Sequence, residues 1–188
     1  DHASADSLDA DVVIVGGGPA GLMAADLLAH AGRSVHVFDV MPSVGRKFLL
    51  AGKGGLNLTH SEPRPGFDQR YAQGQAWVGG WLDGLDGEQV RVWAKDLGID
   101  TFVGTSGRVF PIEMKAAPLL RAWLHRLRHP KSGMPVQFHM RHRWLGWEEG
   151  RLVFARSEGR APLKVQAQAT LLALGGGSWP RLGSDGAW

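Results

Sequence analysis

The order of apolar and polar residues predicts a strand, a helix and a second strand in the N-terminal part of the chain. Residues 12–15 are apolar and mostly β-branched, which is typical of a strand that is covered on both faces. A helical pattern over residues 19–31 then ends at Gly32, a residue type that favours helix C-termini. Residues 34–38 form the next apolar run, which ends at Asp39. This order predicts a parallel β-α-β unit.

Downstream, the pattern changes twice. Residues 41–66 are rich in Gly and Pro and are predicted to be irregular, and residues 99–111 are predicted to be extended. Apolar spacing predicts helices over residues 72–82, 87–97 and 115–127. Alternation then predicts an antiparallel meander with strands over residues 136–147, 151–155 and 163–169, followed by a separate buried parallel strand over residues 170–174.

The pattern as a whole predicts an α/β, Rossmann-like domain with a parallel sheet and a small antiparallel β-meander. We expect residues 1–10 to be a disordered tail and residues 11–188 to form one domain, with the meander at about residues 136–170.

A glycine motif follows the first strand and predicts a nucleotide site. Gly16, Gly18 and Gly21 match G-x-G-x-x-G, in which the glycines allow a tight turn, approach of a pyrophosphate, and close helix–strand packing. Pro19 suits the first turn of the helix, whose free amides attract anions. Asp39 lies 18 positions after the last glycine of the motif, near the spacing expected for an acid that binds a ribose hydroxyl. An acid there also disfavours a 2′-phosphate.

Composition and charge exclude several kinds of site and bear on the location and partners of the protein. The chain of 188 residues has no Cys, which excludes disulfides and thiolate metal sites, and no apolar run long enough to span a membrane. The first ten residues lack the features of a signal peptide, so we expect a cytoplasmic location. Net charge is +3, and the basic residues concentrate between Arg121 and Lys164. That cluster suggests a nucleic-acid surface or a solvated helix end and hairpin, and we favour the second interpretation.

The histidines do not predict a metal site. His125 and His129 lie at i, i+4 on a helix, but no third ligand is evident. His139 and His142 are expected to face opposite sides of a strand.

Five stretches make the chain resemble the N-terminal half of the BaiN-type, or aminoacetone oxidase family, FAD-binding proteins, within the two-dinucleotide-binding-domain flavoproteins. These stretches are residues 15–21, residues 45–52 (Gly-Arg-Lys-Phe-Leu-Leu-Ala-Gly), residues 57–59, residues 107–111 with Lys115 and Ala116, and residues 173–180 with Gly183 and Gly186. The chain departs from most relatives at Gly55-Leu56, where they carry Arg-Cys, so any role of a thiol beside the flavin is absent.

The resemblance implies an FAD-dependent oxidoreductase that acts on a small molecule, with NAD(P)H as a candidate reductant and no predictable catalytic side chain. The residues expected to bind FAD are Gly16, Gly18, Pro19, Ala20, Gly21, Asp39, Arg46, Lys47, Gly52, Gly54, Asn57, Gly175 and Gly176. Three alternatives stay open: an NAD-binding dehydrogenase domain, a flavin-binding module without catalysis, and a tRNA-modifying flavoprotein, which the arginine cluster suggests.

The resemblance also implies where residues 45–59 lie and how the chain compares in length with family members. Residues 45–59 are expected to fold back over the nucleotide pocket, where Arg46 and Lys47 offset phosphate charge. Family members continue into a second domain and return to finish the FAD domain. We therefore expect a missing C-terminal half as a partner, poor FAD binding by this chain alone, and an exposed apolar surface that involves the strand around residues 171–174 and some of the tryptophans.

Overall fold

A computed structural model describes residues 7–156 and 160–186. The strands within these residues are β1 (Ser7–Val15), β2 (Val35–Asp39), β3 (Thr59–His60), β4 (Thr101–Val103), β5 (Arg108–Pro111), β6 (Gln137–Met140), β7 (Arg143–Glu148), β8 (Arg151–Ala155) and β9 (Leu163–Leu172). The helices are α1 (Pro19–His30), α2 (Arg46–Ala51), α3 (Arg64–Gln69), α4 (Gln75–Leu82), α5 (Gly87–Asp96) and α6 (Ala116–Arg128). Short 3-10 turns lie at Gly52–Gly54, Ala72–Gly74 and Pro180–Leu182.

The chain divides into two compact units. The first unit consists of Asp1–Phe48 and Leu124–Trp188, and the second unit is Leu49–Trp123. The sequence pattern had suggested one domain over residues 11–188 and gave no sign of this division. The second unit is inserted between two parts of the first, so the strands that form the main sheet come from both ends of the chain.

A six-stranded sheet with the order β6-β2-β1-β9-β8-β7 forms the first unit. β1 pairs in parallel with β2 and with β9, and β2 pairs in parallel with β6. β7, β8 and β9 are joined by antiparallel pairing. These pairings confirm the predicted α/β fold with a mainly parallel sheet and a small antiparallel part.

Two strand predictions at this sheet were wrong in detail. The runs over residues 163–169 and 170–174 form one strand, β9, which ends at Leu172. Its first three residues pair with β8, and residues 164–172 run beside β1. The predicted strand over residues 136–147 is two strands, because the backbone at Arg141 has φ 61°. β6 pairs with β2 and only β7 joins the meander. Apolar alternation identifies a strand but does not identify its partner.

The prediction that residues 1–10 form a disordered tail was wrong for residues 7–10. β1 begins at Ser7, so residues 7–10 belong to a strand and pair with residues 164–167 of β9. Ala10 is buried in this pairing. Residues 1–6 of the predicted tail lie outside the described residues.

Helix α1 and the meander cover opposite faces of the parallel sheet. A Cβ atom on Gly21 of α1 would lie 3.2 Å from Ile14 Cγ2, so Ile14 faces the helix. Val13 and Val15, its neighbours in β1, belong instead to a buried cluster with Phe154 of β8. Successive side chains of β1 therefore pack into apolar cores on opposite faces of the sheet, as expected for a strand covered on both faces.

The second unit contains the antiparallel sheet β3-β5-β4 and helices α3 to α5. The segment predicted to be irregular, residues 41–66, holds several short elements, which include β3. Helix α5 begins at a capping box in which Asp86 and Gln89 each accept a hydrogen bond from the other's backbone amide. Trp93 packs edge-on against Trp123 at 4.8 Å between ring centroids, which anchors this helix.

Apolar side chains remain exposed at the C-terminal part of β9. Leu171 and Leu172 are 40% and 43% exposed, and Trp179 is 51% exposed. β8 pairs with β9 only over Leu163–Val165, so within the described residues the rest of β9 is paired on its β1 side. An exposed apolar surface was expected here. Among the described residues, no helix has both the length and the apolar character needed to cross a membrane.

Candidate functional site

At two of the three motif positions in the turn between β1 and α1, a side chain has no room. Gly16 adopts φ 112°, and a Cβ atom there would lie 2.2 Å from the carbonyl oxygen of Ala173. A Cβ atom on Gly21 would lie 2.0 Å from the carbonyl oxygen of Gly16. The first and third glycines therefore provide the tight turn and the close helix–strand packing that the motif predicts.

The second glycine faces open space at the start of α1. Gly18 is the N-cap residue of this twelve-residue helix, and Pro19 occupies its first turn. A Cβ atom on Gly18 would meet no heavy atom within 4 Å. The first turn of α1 contains no acidic residue that would repel an anion. Its free amides and the helix dipole thus point to a space in which a phosphate group fits.

A cavity of about 420 Å³ lies at the C-terminal ends of β1 and β2. Its lining comes from the end of β1, from the end of β2, from the start of β7 and from the chain after β9. The lining residues are Val15, Gly16, Phe38, Asp39, Val40, His142, Arg143, Trp144, Leu145, Gly146, Leu174, Gly183, Ser184 and Asp185. In open α/β sheets, ligands bind at this edge.

Asp39 lies on the cavity wall at the end of β2 and bonds to two backbone amides. Its Oδ2 atom accepts a hydrogen bond from the Gly17 amide at 2.7 Å, and its Oδ1 atom accepts one from the Met41 amide at 2.8 Å. A carboxylate has about four acceptor positions, so both oxygens can accept further bonds from a ligand. The carboxylate therefore orients the glycine turn and still faces the cavity.

The glycines after β9 reach the same edge of the sheet. The amide of Ala173 donates to the carbonyl of Val15 at 2.8 Å, which continues the β1–β9 pairing to the cavity. Gly175 then turns with φ 76°, and a Cβ atom there would lie 3.9 Å from the Cβ atom of Ser184. Gly175 and Gly176 thus lie beside the cavity wall, and their predicted contact with the cofactor stays a prediction.

Arg46 and Lys47 both lie in the first turn of α2, and both bond to protein groups. Arg46 Nη1 donates to Ser43 Oγ at 3.3 Å, while its Nε atom is buried without a partner among the described residues. Lys47 Nζ donates to the carbonyl oxygens of Gly176 and Ser184, at 2.6 and 2.7 Å. The lysine ammonium, expected to offset phosphate charge, thus bonds to two backbone carbonyls.

Gly52, Gly54 and Asn57 belong to the second unit. A Cβ atom on Gly52 would lie 2.5 Å from the Cβ atom of Ala116, so this glycine permits a close contact within that unit. Gly54 and Asn57 are exposed. The expected folding of residues 45–59 over the pocket stays a prediction, because the segment is divided between the two units after Phe48.

Sequence reasoning missed the contribution of β7 to the cavity. His142 through Gly146 line it, and the side-chain Nε1 atom of Trp144 is buried without a hydrogen-bond partner among the described residues. This N–H group can donate to a ligand. The alternation of β7 was visible in the sequence, but its position beside the end of β2 depends on tertiary packing.

Histidine rings stack in the layer between the parallel sheet and the meander. His36 Nδ1 and His139 Nε2 lie 2.9 Å apart, and the His139 ring stacks on Phe38 at 4.3 Å. The His142 ring lies 5.8 Å from that of His139, in an edge-on arrangement. The prediction that His139 and His142 face opposite sides was wrong, because the chain turns at Arg141 between them. Burial, helped by the charges of His36 and His142, lowers the pKa of His139 to about 4.

Folding stability should fall as the pH drops below 6.5. The pKa of His139 is about 4 in the folded chain and about 6.5 when unfolded, so the unfolded state binds the proton first. Burial also lowers the pKa of His36. Stability from these rings is complete above pH 6.5 and decreases toward pH 4, by about 1–2 kcal/mol after allowance for partial exposure. Urea unfolding at a series of pH values measures this. His139→Phe should flatten the profile, and an unchanged slope would contradict the assignment.

His125 and His129 do not extend into a metal site. Their rings lie 5.1 Å apart at the end of α6. Across residues 7–156 and 160–186, no group of three or more His, Cys, Asp or Glu side chains has an arrangement that could hold a metal ion. The candidate site is the cavity at the ends of β1 and β2, which is lined by Gly16 and Asp39.

A comparison with protein families matches nearly the whole chain. The profile described as "HI0933-like protein Rossmann domain" matches residues 10–188. Two curated proteins match shorter stretches. The ribosomal RNA dihydrouridine synthase of Haemophilus influenzae is 47% identical over 53 residues, which are 28% of this chain and 13% of that protein. The corresponding Escherichia coli protein is 39% identical over 56 residues, 30% of this chain and 14% of that protein.

Solved structures share the fold at low sequence identity. The 3-ketosteroid-Δ4-(5α)-dehydrogenase of Rhodococcus jostii superposes with a TM-score of 0.63 at 16% identity, over 93% of this chain and 47% of that one. A quinol-fumarate reductase superposes with a TM-score of 0.62 at 18% identity, over 92% of this chain and 34% of that one. The chain thus spans about half or less of these longer proteins.

Proposed function

Because the chain belongs to the HI0933-like protein Rossmann domain family, we propose that it is the FAD-binding part of an oxidoreductase. The family supports FAD as the cofactor, in agreement with the resemblance seen in the sequence. When bound, FAD supplies the redox chemistry by accepting or donating two electrons. The side chains of this chain bind and orient the cofactor, and no residue is assigned as a catalytic acid or base.

The cavity at the ends of β1 and β2 carries this proposal. The amides at the start of α1 would hold the pyrophosphate, since the position of a Gly18 Cβ atom is open within 4 Å. Asp39 would accept hydrogen bonds from the adenosine ribose. Gly175 and Gly176 would let the backbone approach the cofactor closely. These groups fit a dinucleotide, because glycine turns from β1 and β9 meet at one edge of the sheet.

Titration of the purified chain with FAD tests the proposal directly. Flavin fluorescence or calorimetry should show saturable FAD binding, at low affinity because poor binding is expected of this chain alone, and the visible spectrum should show a bound flavin at high FAD concentration. NAD⁺ at the same concentrations should bind at least about tenfold more weakly. Equal or stronger binding of NAD⁺ would favour the dehydrogenase alternative. Addition of NADH and of NADPH to the FAD-loaded chain would then test each of them as a reductant from the loss of flavin absorbance.

Replacement of Asp39 by Ala should weaken FAD binding by about tenfold or more, because a hydrogen bond to a charged group contributes roughly 1.5–3 kcal/mol. Asp39→Asn, which keeps one acceptor oxygen, should lose less affinity for FAD than Asp39→Ala. Fluorescence titration measures both. Asp9→Ala is the matched control, since Asp9 is an exposed carboxylate in the N-terminal part of β1. Affinity equal to that of the unsubstituted chain would contradict the role of Asp39.

RNA is the second candidate substrate class, beside a small molecule. The two curated proteins that match this chain are both named ribosomal RNA dihydrouridine synthases. Residues 124–147 also contain five Lys and Arg residues and no Asp or Glu. Arg128 and Lys131 are exposed in this stretch, and the Arg128 guanidinium lies 5.2 Å from the centre of the Phe138 ring. Exposed cations without nearby acids in the sequence suit a phosphate backbone.

Salt-dependent binding separates the two substrate classes. An RNA hairpin should bind the chain with an affinity that falls steeply as salt rises. The double substitution Arg128→Glu and Lys131→Glu should reduce that affinity and flatten the salt dependence, whereas Arg91→Glu with Lys95→Glu in the second unit should have less effect. Binding that is absent or insensitive to salt would favour the small-molecule substrate.

A further inference from the structure

We propose that Lys47 is a positioning residue that holds one wall of the cofactor cavity in place, rather than a ligand of the cofactor phosphates. The inference rests on the proposed function only in taking the cavity as the cofactor site. The wall in question consists of residues 183–185, which line the cavity together with Gly16 and Asp39. Lys47 lies in the first turn of α2 and reaches this wall through its side chain.

The ammonium of Lys47 joins two stretches of backbone. Its Nζ atom donates to the carbonyl oxygen of Gly176, at 2.6 Å, and to that of Ser184, at 2.7 Å. Two of its three N–H donors are thereby used. Hydrogen bonds from a charged donor are stronger than those between neutral groups. The lysine therefore fastens the glycine run after β9 and the cavity wall to the same point on α2.

The chain around these two attachment points lies near the surface of the first unit. None of the residues 175–186, all of which the structure describes, is buried, and Trp179 is 51% exposed. Local contacts close this segment on itself: the Gly186 amide donates to Ser184 Oγ at 3.1 Å, and a Cβ atom on Gly177 would lie 3.0 Å from the Asp185 carbonyl oxygen. A segment without buried side chains depends on such polar contacts for its position.

A positioning role and a phosphate role predict different losses. If Lys47 neutralised a phosphate, its removal would weaken only ligands that carry phosphate, and high salt would reduce the difference. If Lys47 holds the wall, its removal loosens the cavity for every ligand that contacts residues 183–185. The segment over residues 175–186 would also move more freely in the chain without ligand.

Hydrogen–deuterium exchange of the chain without cofactor gives the first readout. In Lys47→Met, which keeps the length of the side chain and removes the charge, amides in residues 175–186 should exchange about tenfold faster or more. Lys53→Met is the matched control, because Lys53 is an exposed lysine in the neighbouring turn Gly52–Gly54. That substitution should leave the exchange of residues 175–186 unchanged.

Titrations with FAD, ADP and adenosine give the second readout. Lys47→Met should weaken all three by a similar factor of about tenfold, at both low and high salt. Lys47→Gln, whose shorter side chain cannot bridge two carbonyls in the same way, should behave like Lys47→Met and serves if the methionine variant does not fold.

Unchanged exchange in both variants would overturn the proposal, as would a loss of affinity confined to FAD and ADP that disappears at high salt. Absence of even weak FAD binding by the unsubstituted chain would refute the proposed function instead. The exchange measurement would still decide whether Lys47 holds the segment, because it uses the chain without cofactor.

Discussion

Replacement of Gly18 by Val should abolish FAD binding, with a dissociation constant raised by at least about a hundredfold. The side chain of valine would occupy the open space at the start of α1, where the pyrophosphate is expected to approach the helix amides. Gly18 has φ −80° and ψ −178°, which is extended backbone that valine adopts readily. The substitution should therefore block the ligand without straining the turn. Flavin fluorescence titration measures the loss.

Folding of the Gly18 variant can be checked against a second glycine with open surroundings. Gly80 lies in α4 of the second unit, and a Cβ atom there would also meet no heavy atom within 4 Å. Gly80→Val should keep full FAD affinity. Circular dichroism should show both variants folded at the temperature of the titration. A folded Gly18→Val chain with unchanged affinity would disprove the assignment of the pyrophosphate to this turn.

Replacement of Phe154 by Ala should lower the free energy of unfolding by about 3–5 kcal/mol. Phe154 of β8 is fully buried and stacks on Phe38 of β2, with 4.1 Å between ring centroids. This contact joins the antiparallel meander to the parallel sheet directly beneath the cavity that Phe38 lines. Loss of the ring leaves a void at that junction. A domain of this size is stable by only about 5–15 kcal/mol, so the variant should be close to unfolding.

Urea denaturation followed by circular dichroism measures this change. Val153→Ala is the matched control, since Val153 is the neighbouring residue of β8 and is only half-buried. The control should lose markedly less stability than Phe154→Ala. Equal losses in the two variants would indicate that the meander does not depend on the Phe38–Phe154 contact.

The sequence by itself determined the local parts of the candidate site. Helix α1 begins at Pro19 and ends beside Gly32, as its capping residues predicted. Gly16 and Gly21 lie where side chains have no room, and Asp39 ends the second strand at the cavity. Such features follow from the backbone preferences of a few consecutive residues, so they can be read without knowledge of the rest of the chain.

Only the tertiary structure decided which distant segments meet at that site. The hydrogen bond between Lys47 and Gly176 joins residues 129 positions apart, and the contact of His36 with His139 spans 103 positions. The sequence predicts most of β7 only as part of one longer strand over residues 136–147, and its place on the cavity wall depends on its pairing with β8, whose Phe154 stacks on Phe38. Alternation fixes which face of a strand is apolar, whereas its partner depends on packing between elements far apart in the chain. For that reason the sequence predicts that Lys47 lies near the site, but it does not predict that the lysine bonds to the cavity wall.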